Sequence, residues 1–215
     1  MCSRYYIDFD MADEIQKVVH DVDRRIRQDH FRGDIRPTDV APVIEQSDLG
    51  LKMNISRWGY PLSKGKSMVI NARVESVLDK PAFREGIRYH RLLIPASGFY
   101  EWNSLREKNI FTRSDETVLY MAGFCDWFEN ERRFVILTTA ANDSMIKVHD
   151  RMPLIIEKEQ FIDWFDNDRM GAILHQKPVM LKRQAEYEQR SLFSQLYQKG
   201  KINEDISRCG CLPSC

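Results

Sequence analysis

Apolar residues near the start of the chain recur with the period of an amphipathic helix. Within residues 10–28 the apolar positions of this pattern are Ile15, Val18, Val19, Val22 and Ile26. Acidic residues occupy the first turn, so the segment predicts a surface helix. The following segment, RGDIRPTDVAPVIE, contains prolines that interrupt helices, and it predicts an extended approach to a strand.

Short apolar runs dominate the middle of the chain, and polar or glycine-containing turns separate most of them. They predict strands at residues 53–58, 68–70, 91–94, 97–102, 118–127 and 134–139. Helical spacing returns at residues 142–148, 159–166 and 187–198. This order predicts an α+β fold, predominantly an antiparallel curled or barrel-like β-sheet with peripheral helices.

Length and composition narrow the class of protein. The 215 residues, of which 43% are hydrophobic, predict one domain at residues 1–200 and a cysteine-containing, flexible tail at 201–215. The chain has 32 basic and 32 acidic residues, so only a local basic patch could attract a polyanion. No long apolar run or signal-peptide pattern occurs, which predicts a cytoplasmic protein that does not enter a membrane. We also expect a monomer.

The five cysteines have no disulfide framework spacing, so we expect reduced thiols. Three of them lie in the terminal stretch ISRCGCLPSC. They could bind a soft metal, but structural zinc usually has four ligands and no histidine accompanies them. We therefore predict no metal and no cofactor.

Cys2 is the first residue with distinctive chemistry. Removal of Met1 would leave a thiol and a free α-amine on one residue. Both groups titrate close enough to cellular pH to act as nucleophiles, so the pair could capture an aldehyde as a Schiff base and then as a thiazolidine. A buried or incidental cysteine is the alternative, and position alone favours it.

Five motifs occur in order along the chain: MCSRY, RWGYP, NARVES, LLIPASGFYEW and LTTAANDSMIKVHDRMP. Together with the segment RPTDVAP, they resemble the SOS response-associated peptidase (SRAP) family, whose members crosslink to abasic sites. The resemblance runs from Cys2 to about Ile156. It implies the SRAP fold and an abasic site processing protein.

The resemblance also implies roles for individual residues. Cys2 matches the nucleophile, Asn71 the residue that orients it, Glu101 the acid/base carboxylate, and His149 the histidine of sugar opening and reversal. A second group is expected to contact DNA or to form the wall of the site: Arg4, Pro37, Trp58, Arg73, Trp102 and Arg151.

Each role has a physical rationale and an ordinary alternative. Burial of Glu101 would raise its pKa toward neutrality, but on an alternating strand the side chain could instead face solvent. His149 and Asn71 could equally be structural or turn residues. The arginines could bind phosphates or pair with acidic neighbours such as Glu75, and the tryptophans could stack on bases or belong to the core.

The resulting hypothesis is a covalent thiazolidine link between Cys2 and an abasic site in single-stranded DNA. It requires loss of Met1 and would associate the protein with the nucleoid when DNA is bound. Hydrolysis by an amino-terminal cysteine, as a peptidase or amidohydrolase, and simple coating of single-stranded DNA remain alternatives. Ser3 and the ending of RWGYPLS depart from the family pattern, and no family landmark follows Pro178.

Overall fold

A computed structural model describes residues 2–23, 33–62, 67–115 and 117–185. Its strands are β1 Arg4–Ile7, β2 Asp21–Val22, β3 Gly33–Ile35, β4 Val40–Ser47, β5 Gly50–Trp58, β6 Tyr60–Pro61, β7 Met68–Val69, β8 Asn71–Arg73, β9 Arg91–Ala96, β10 Gly98–Trp102, β11 Lys108–Thr112, β12 Leu119–Phe128, β13 Glu131–Ala140, β14 Arg151–Pro153 and β15 Lys182–Ala185. The α-helices are α1 Phe9–Gln16, α2 Pro81–Tyr89, α3 Phe161–Phe165 and α4 Met170–Leu174. The predicted α+β fold, mostly of strands, is confirmed.

Two sheets form the body of the protein. The smaller has the order β15-β11-β10-β1-β3, and the larger follows β14-β13-β12-β9-β4-β5-β2 with β8 beside β13. Most neighbours are antiparallel, whereas β2–β5, β5–β13 and β8–β13 are parallel. In the described part of the chain, no helix is long and apolar enough to span a membrane.

Strand β13 joins the parts of the chain that carry the HDRMP and NARVES motifs. Its register places Ile136 opposite Asn71 and Thr138 opposite Arg73 on one side. On its other side Ala140 pairs with Arg151 of β14. Segments far apart in sequence therefore meet at the end of one strand.

Two predicted helices are wrong in part or in whole. Helix α1 ends at Gln16, and the chain then turns into β2, where Asp21 and Val22 pair with β5. The end of the predicted helix lies outside the described residues. Sheet pairing thus overrides a helical spacing of apolar residues.

Residues 142–148 form turns rather than a helix. The side-chain oxygen of Asn142 accepts the backbone N–H of Ser144, and its amide nitrogen donates to the carbonyls of Pro178 and Val179. Such side-chain bonds compete with helical backbone bonds. The predicted helix at 159–166 corresponds to a 3-10 turn and α3, while residues 187–198, the boundary at 200 and the tail lie outside the described residues.

Arg91 is a buried arginine at the start of β9, and it links the ends of α2 and α3 to the larger sheet by hydrogen bonds. Its guanidinium donates hydrogen bonds to the carbonyls of Ile87 and Arg88 at the end of α2, to those of Trp164 and Phe165 at the end of α3, and to the side chain of Asn167. The four backbone acceptors are carbonyls that a helix end leaves without an intrahelical partner. A forked donor is therefore needed at this position.

We expect Arg91→Lys to lower the free energy of unfolding by about 2 to 3 kcal/mol, because a lysine ammonium cannot reach all five acceptors. Urea unfolding measures the change. Arg84→Lys, on the exposed side of α2, is the control and should have little effect. Equal midpoints for the two variants would contradict the proposed role of Arg91.

Candidate active site

Cys2 lies just before β1 and its side chain has no accessible surface. The sulfur lies 3.9 Å from the backbone oxygen of Arg4. Burial, and to a smaller extent the nearby charge of Glu101, raise the pKa of the Cys2 thiol to about 12. At neutral pH the sulfur is therefore protonated, and it needs a base before it can react.

Glu101 is buried on the inner face of β10. The alternation of this strand puts Phe99 and Glu101 on one side, and Tyr100 and Trp102 on the other. The outward-facing alternative for Glu101 is therefore wrong. Strand β1 pairs with β10 through Arg4 and Tyr100, so the residues before Arg4 continue toward Glu101. Its effect on the Cys2 thiol shows that the two groups are electrostatic neighbours.

Asn71 holds the backbone of Cys2. Its side-chain amide donates a 2.8 Å hydrogen bond to the carbonyl oxygen of Cys2. Its own side-chain oxygen is buried and has no hydrogen-bond partner within the described part of the chain. A buried acceptor without a donor is costly, so this oxygen is ready to accept a hydrogen bond from a group on Cys2 or on a ligand.

His149 follows the turns that start at Asn142 and immediately precedes β14. Its Nδ1 lies 2.9 Å from the backbone nitrogen of Arg151 and 2.9 Å from a carboxylate oxygen of Asp150. When the backbone N–H donates to Nδ1, the neutral ring carries its proton on Nε2. Pairing of β14 and β8 with β13 places the segments that carry His149 and Asn71 on either side of the carboxyl-terminal half of β13.

The predicted arginines differ in their surroundings. Arg151 makes a two-pronged ion pair with Glu75, at 2.6 and 2.8 Å, and also donates to the carbonyl of Thr138. The acidic-neighbour alternative therefore describes its state in this structure. Arg73 is exposed, close to the same carboxylate. A phosphate would have to compete with Glu75 for Arg151.

Arg4 belongs to the outer face of β1. Its guanidinium lies 5.4 Å from the centre of the Trp102 ring and 3.5 Å from the carboxylate of Asp34. Trp102 is partly exposed, as a base-stacking residue must be. Pro37 is also partly exposed, in the turn between β3 and β4.

Trp58, expected to contact DNA or to form the wall of the site, is enclosed in this structure. The side chain has no accessible surface, its indole N–H donates to the carbonyl of Ile70, and its ring packs on Tyr5 and Phe134. It is a core residue, which was the alternative for tryptophans in a β-domain.

Sequence reasoning missed Tyr5. This residue is fully buried beside Trp58, and its hydroxyl has no hydrogen-bond partner among the described residues. Burial raises the pKa of Tyr5 well above its usual value, and charges at Cys2 and Asp39 add to the effect. The Tyr5 hydroxyl is therefore close enough to Cys2 for the two groups to interact electrostatically. Its only signal in the sequence is the alternation of β1.

The fold and the site define a mixed β-sheet protein with an amino-terminal cysteine held beside a buried glutamate and an asparagine. The family model described as SOS response associated peptidase (SRAP) matches residues 1–193, and the chain belongs to this family.

Two similar bacterial proteins are both described as abasic site processing proteins. The abasic site processing protein YoqW of Bacillus subtilis is 28% identical over 173 residues, which cover 74% of this chain and 77% of the relative. The abasic site processing protein YedK of Escherichia coli is 26% identical over 170 residues, covering 74% and 77%.

Solved structures support the fold. A crystal structure of a protein from Bordetella bronchiseptica has a TM-score of 0.70 at 22% identity and covers 87% of this chain and 100% of its own. A protein from Bacteroides thetaiotaomicron gives 0.65 at 20% identity, covering 87% and 93%.

The electrostatic link between Cys2 and Glu101 can be tested by alkylation. Glu101→Gln should lower the pKa of the Cys2 thiol from about 12, because it removes the negative charge that opposes thiolate formation. The pH at which iodoacetamide begins to label Cys2 rapidly should fall, as measured by peptide mass spectrometry.

The matched control is Glu85→Gln, an exposed carboxylate on α2. It should leave the pH profile of Cys2 labelling unchanged. A Glu101→Gln profile identical to that of the parent protein would show that the carboxylate does not act on this sulfur.

Proposed function

We propose that this protein processes abasic sites in single-stranded DNA, as a monomer, by linking Cys2 covalently to the ring-opened sugar. The observation that carries the proposal is the buried Cys2 with Asn71 hydrogen-bonded to its carbonyl and Glu101 acting on its thiol. The names of the relatives supply the substrate class.

The reaction begins with removal of Met1, which frees the α-amine of Cys2. The amine adds to the aldehyde carbon of the sugar to give a carbinolamine, and loss of one water gives the imine. The thiol then adds to the imine carbon, so that the new C–S bond closes a thiazolidine and the thiol proton passes to the nitrogen. The net change is loss of one water, and the chemistry requires no metal or organic cofactor.

Glu101 is the proton carrier of this scheme. A thiol with a pKa of about 12 does not ionise by itself at neutral pH, so a neighbouring carboxylate must accept its proton as sulfur attacks. The same group can then return a proton to the nitrogen. Asn71 fixes the Cys2 backbone, and its free acceptor oxygen can receive the N–H of the attacking amine.

The pKa of the Cys2 thiol also distinguishes the proposed function from that of a cysteine hydrolase. A hydrolytic cysteine usually attacks as a thiolate and has a lowered pKa. The thiol of Cys2 has a raised pKa, which suits a reaction that the amine starts and the thiol completes. Amide hydrolysis is therefore restricted in our proposal to removal of Met1.

Access to Cys2 is part of the same proposal. The side chain has no accessible surface in the chain that still carries Met1. Loss of this residue frees the amine, and a sugar can then react with it. Arg4, Arg73, Pro37 and Trp102 then line the approach, and Arg151 exchanges Glu75 for a phosphate.

We expect Met1-free protein to form a heat-stable adduct with an oligonucleotide that contains one abasic site. Cys2→Ala should abolish the adduct, and Cys125→Ala, which alters the other buried free cysteine, should not. Denaturing gels detect the adduct, and intact mass should equal the sum of both components less one water. Undiminished adduct formation by protein that retains Met1 would contradict the ring mechanism.

His149 is proposed to assist reversal, because an imidazole ring can donate a proton from one nitrogen and accept one at the other. His149→Gln should slow release of DNA from preformed adduct by on the order of 100-fold. Release is measured by trapping freed abasic DNA with an excess of alkoxyamine. His175→Gln, an exposed histidine after α4, is the control, and equal release rates for both variants would remove His149 from the mechanism.

A further inference from the structure

The outer face of the smaller sheet carries a row of aromatic side chains, of which only Trp102 has a place in the proposed reaction. Tyr6 stacks on Tyr100 with ring centres 5.1 Å apart and planes 24° from parallel. Tyr100 is 6.5 Å from Trp102. All three side chains are partly exposed. We call Tyr6, Tyr100 and Trp102 the aromatic row.

Strand register accounts for this arrangement. Residue Tyr6 is opposite Gly98, so the strand next to it offers no side chain at that position. A Cβ on Gly98 would lie 2.8 Å from the Tyr6 ring, which shows how closely the ring covers this glycine. The inner face of the same strands is buried and, apart from Glu101, contributes Tyr5, Ile7 and Phe99 to the core. The aromatic row therefore lies on the face that the core does not need.

Cations accompany the aromatic row. The ammonium of Lys108 lies 4.4 Å from the centre of the Tyr100 ring, and Arg4 covers Trp102. Lys182 on β15 is exposed on the same sheet. Two carboxylates limit the positive charge: Asp34 pairs with Arg4, and Asp8 acts on Tyr6 and Tyr100. The face thus combines ring surfaces with a modest excess of cations.

The row is continuous with the candidate active site. Trp102 follows Glu101 directly, and Arg4 is two residues from Cys2. Tyr6 is four residues from Cys2, which corresponds to ~13 Å along a strand. A nucleic acid strand attached at Cys2 would therefore meet Trp102 first and Tyr6 last if it continued over this face.

We propose that the aromatic row and Lys108 form a stacking platform for two or three unpaired nucleotides beside the abasic site. The proposal rests on the proposed function, which it extends to undamaged neighbouring bases. Rings at this spacing with flanking cations are the means by which proteins bind single strands without reading their sequence. Only a few phosphates are neutralised, so binding should be weak and moderately dependent on salt.

The experiment uses a Cys2→Ala background, in which no covalent link can form, and a fluorescent single-stranded oligothymidylate without lesions. Tyr6→Leu should weaken binding at least about fivefold, since each stacked base contributes about 1 to 3 kcal/mol. Lys108→Met should weaken binding and reduce the slope of log affinity against log salt by roughly 0.7. Fluorescence anisotropy measures both.

Tyr89→Leu is the matched control, because this tyrosine is 64% exposed and lies on α2, a helix that packs on the other sheet. It should bind as the background protein does. Affinity within about twofold of the background for Tyr6→Leu, together with an unchanged salt slope for Lys108→Met, would overturn the platform. The lysine variant keeps the test valid even if loss of Tyr6 disturbs the sheet.

Failure of the platform and failure of the proposed function are distinguishable. Adduct formation by Cys2-containing, Met1-free protein, with normal binding by the two variants, would leave the function intact and remove the platform. Absence of an adduct, with weakened binding by Tyr6→Leu and Lys108→Met, would keep a single-strand platform and reject covalent processing.

Discussion

The antiparallel pairing of β1 with β10 is the constraint on which the rest of the site depends. Its register, with Arg4 opposite Tyr100, carries the start of the chain toward Glu101. Because strand side chains alternate, the same register sends Glu101 inward and Tyr100 and Trp102 outward. A slip of one residue would exchange the two sets and turn the Glu101 carboxylate away from the Cys2 thiol.

Burial strengthens the electrostatic interaction between the Cys2 thiol and the Glu101 carboxylate. In a solvated loop, a cysteine and a glutamate would keep ordinary pKa values and would hardly influence each other. In the interior, the thiol stays protonated until another group takes its proton. In the proposed reaction, the amine of a Met1-free chain therefore reacts first and the thiol second.

The sequence predicts these features unequally. Long apolar strands such as β12 and β13 are evident because local pattern and burial agree. Alternation alone left open on which side of β10 Glu101 lies, and the structure places it inside. Helix α2 and strand β1 were missed, because short elements depend on distant partners for their stability. The hydrogen bond from Asn71 to Cys2 joins residues 69 positions apart, and no local pattern encodes it.

Trp58 and Trp102 show why motif resemblance must be combined with burial. Both are tryptophans in motifs shared with the family, yet one is enclosed by Tyr5 and Phe134 and the other lies on the open face beside Arg4. Substitution of Trp58 would leave a large cavity and destabilise the fold, whereas substitution of Trp102 would alter a surface. Loss of activity in a Trp58 variant would thus report on core packing and would carry no information about contact with DNA.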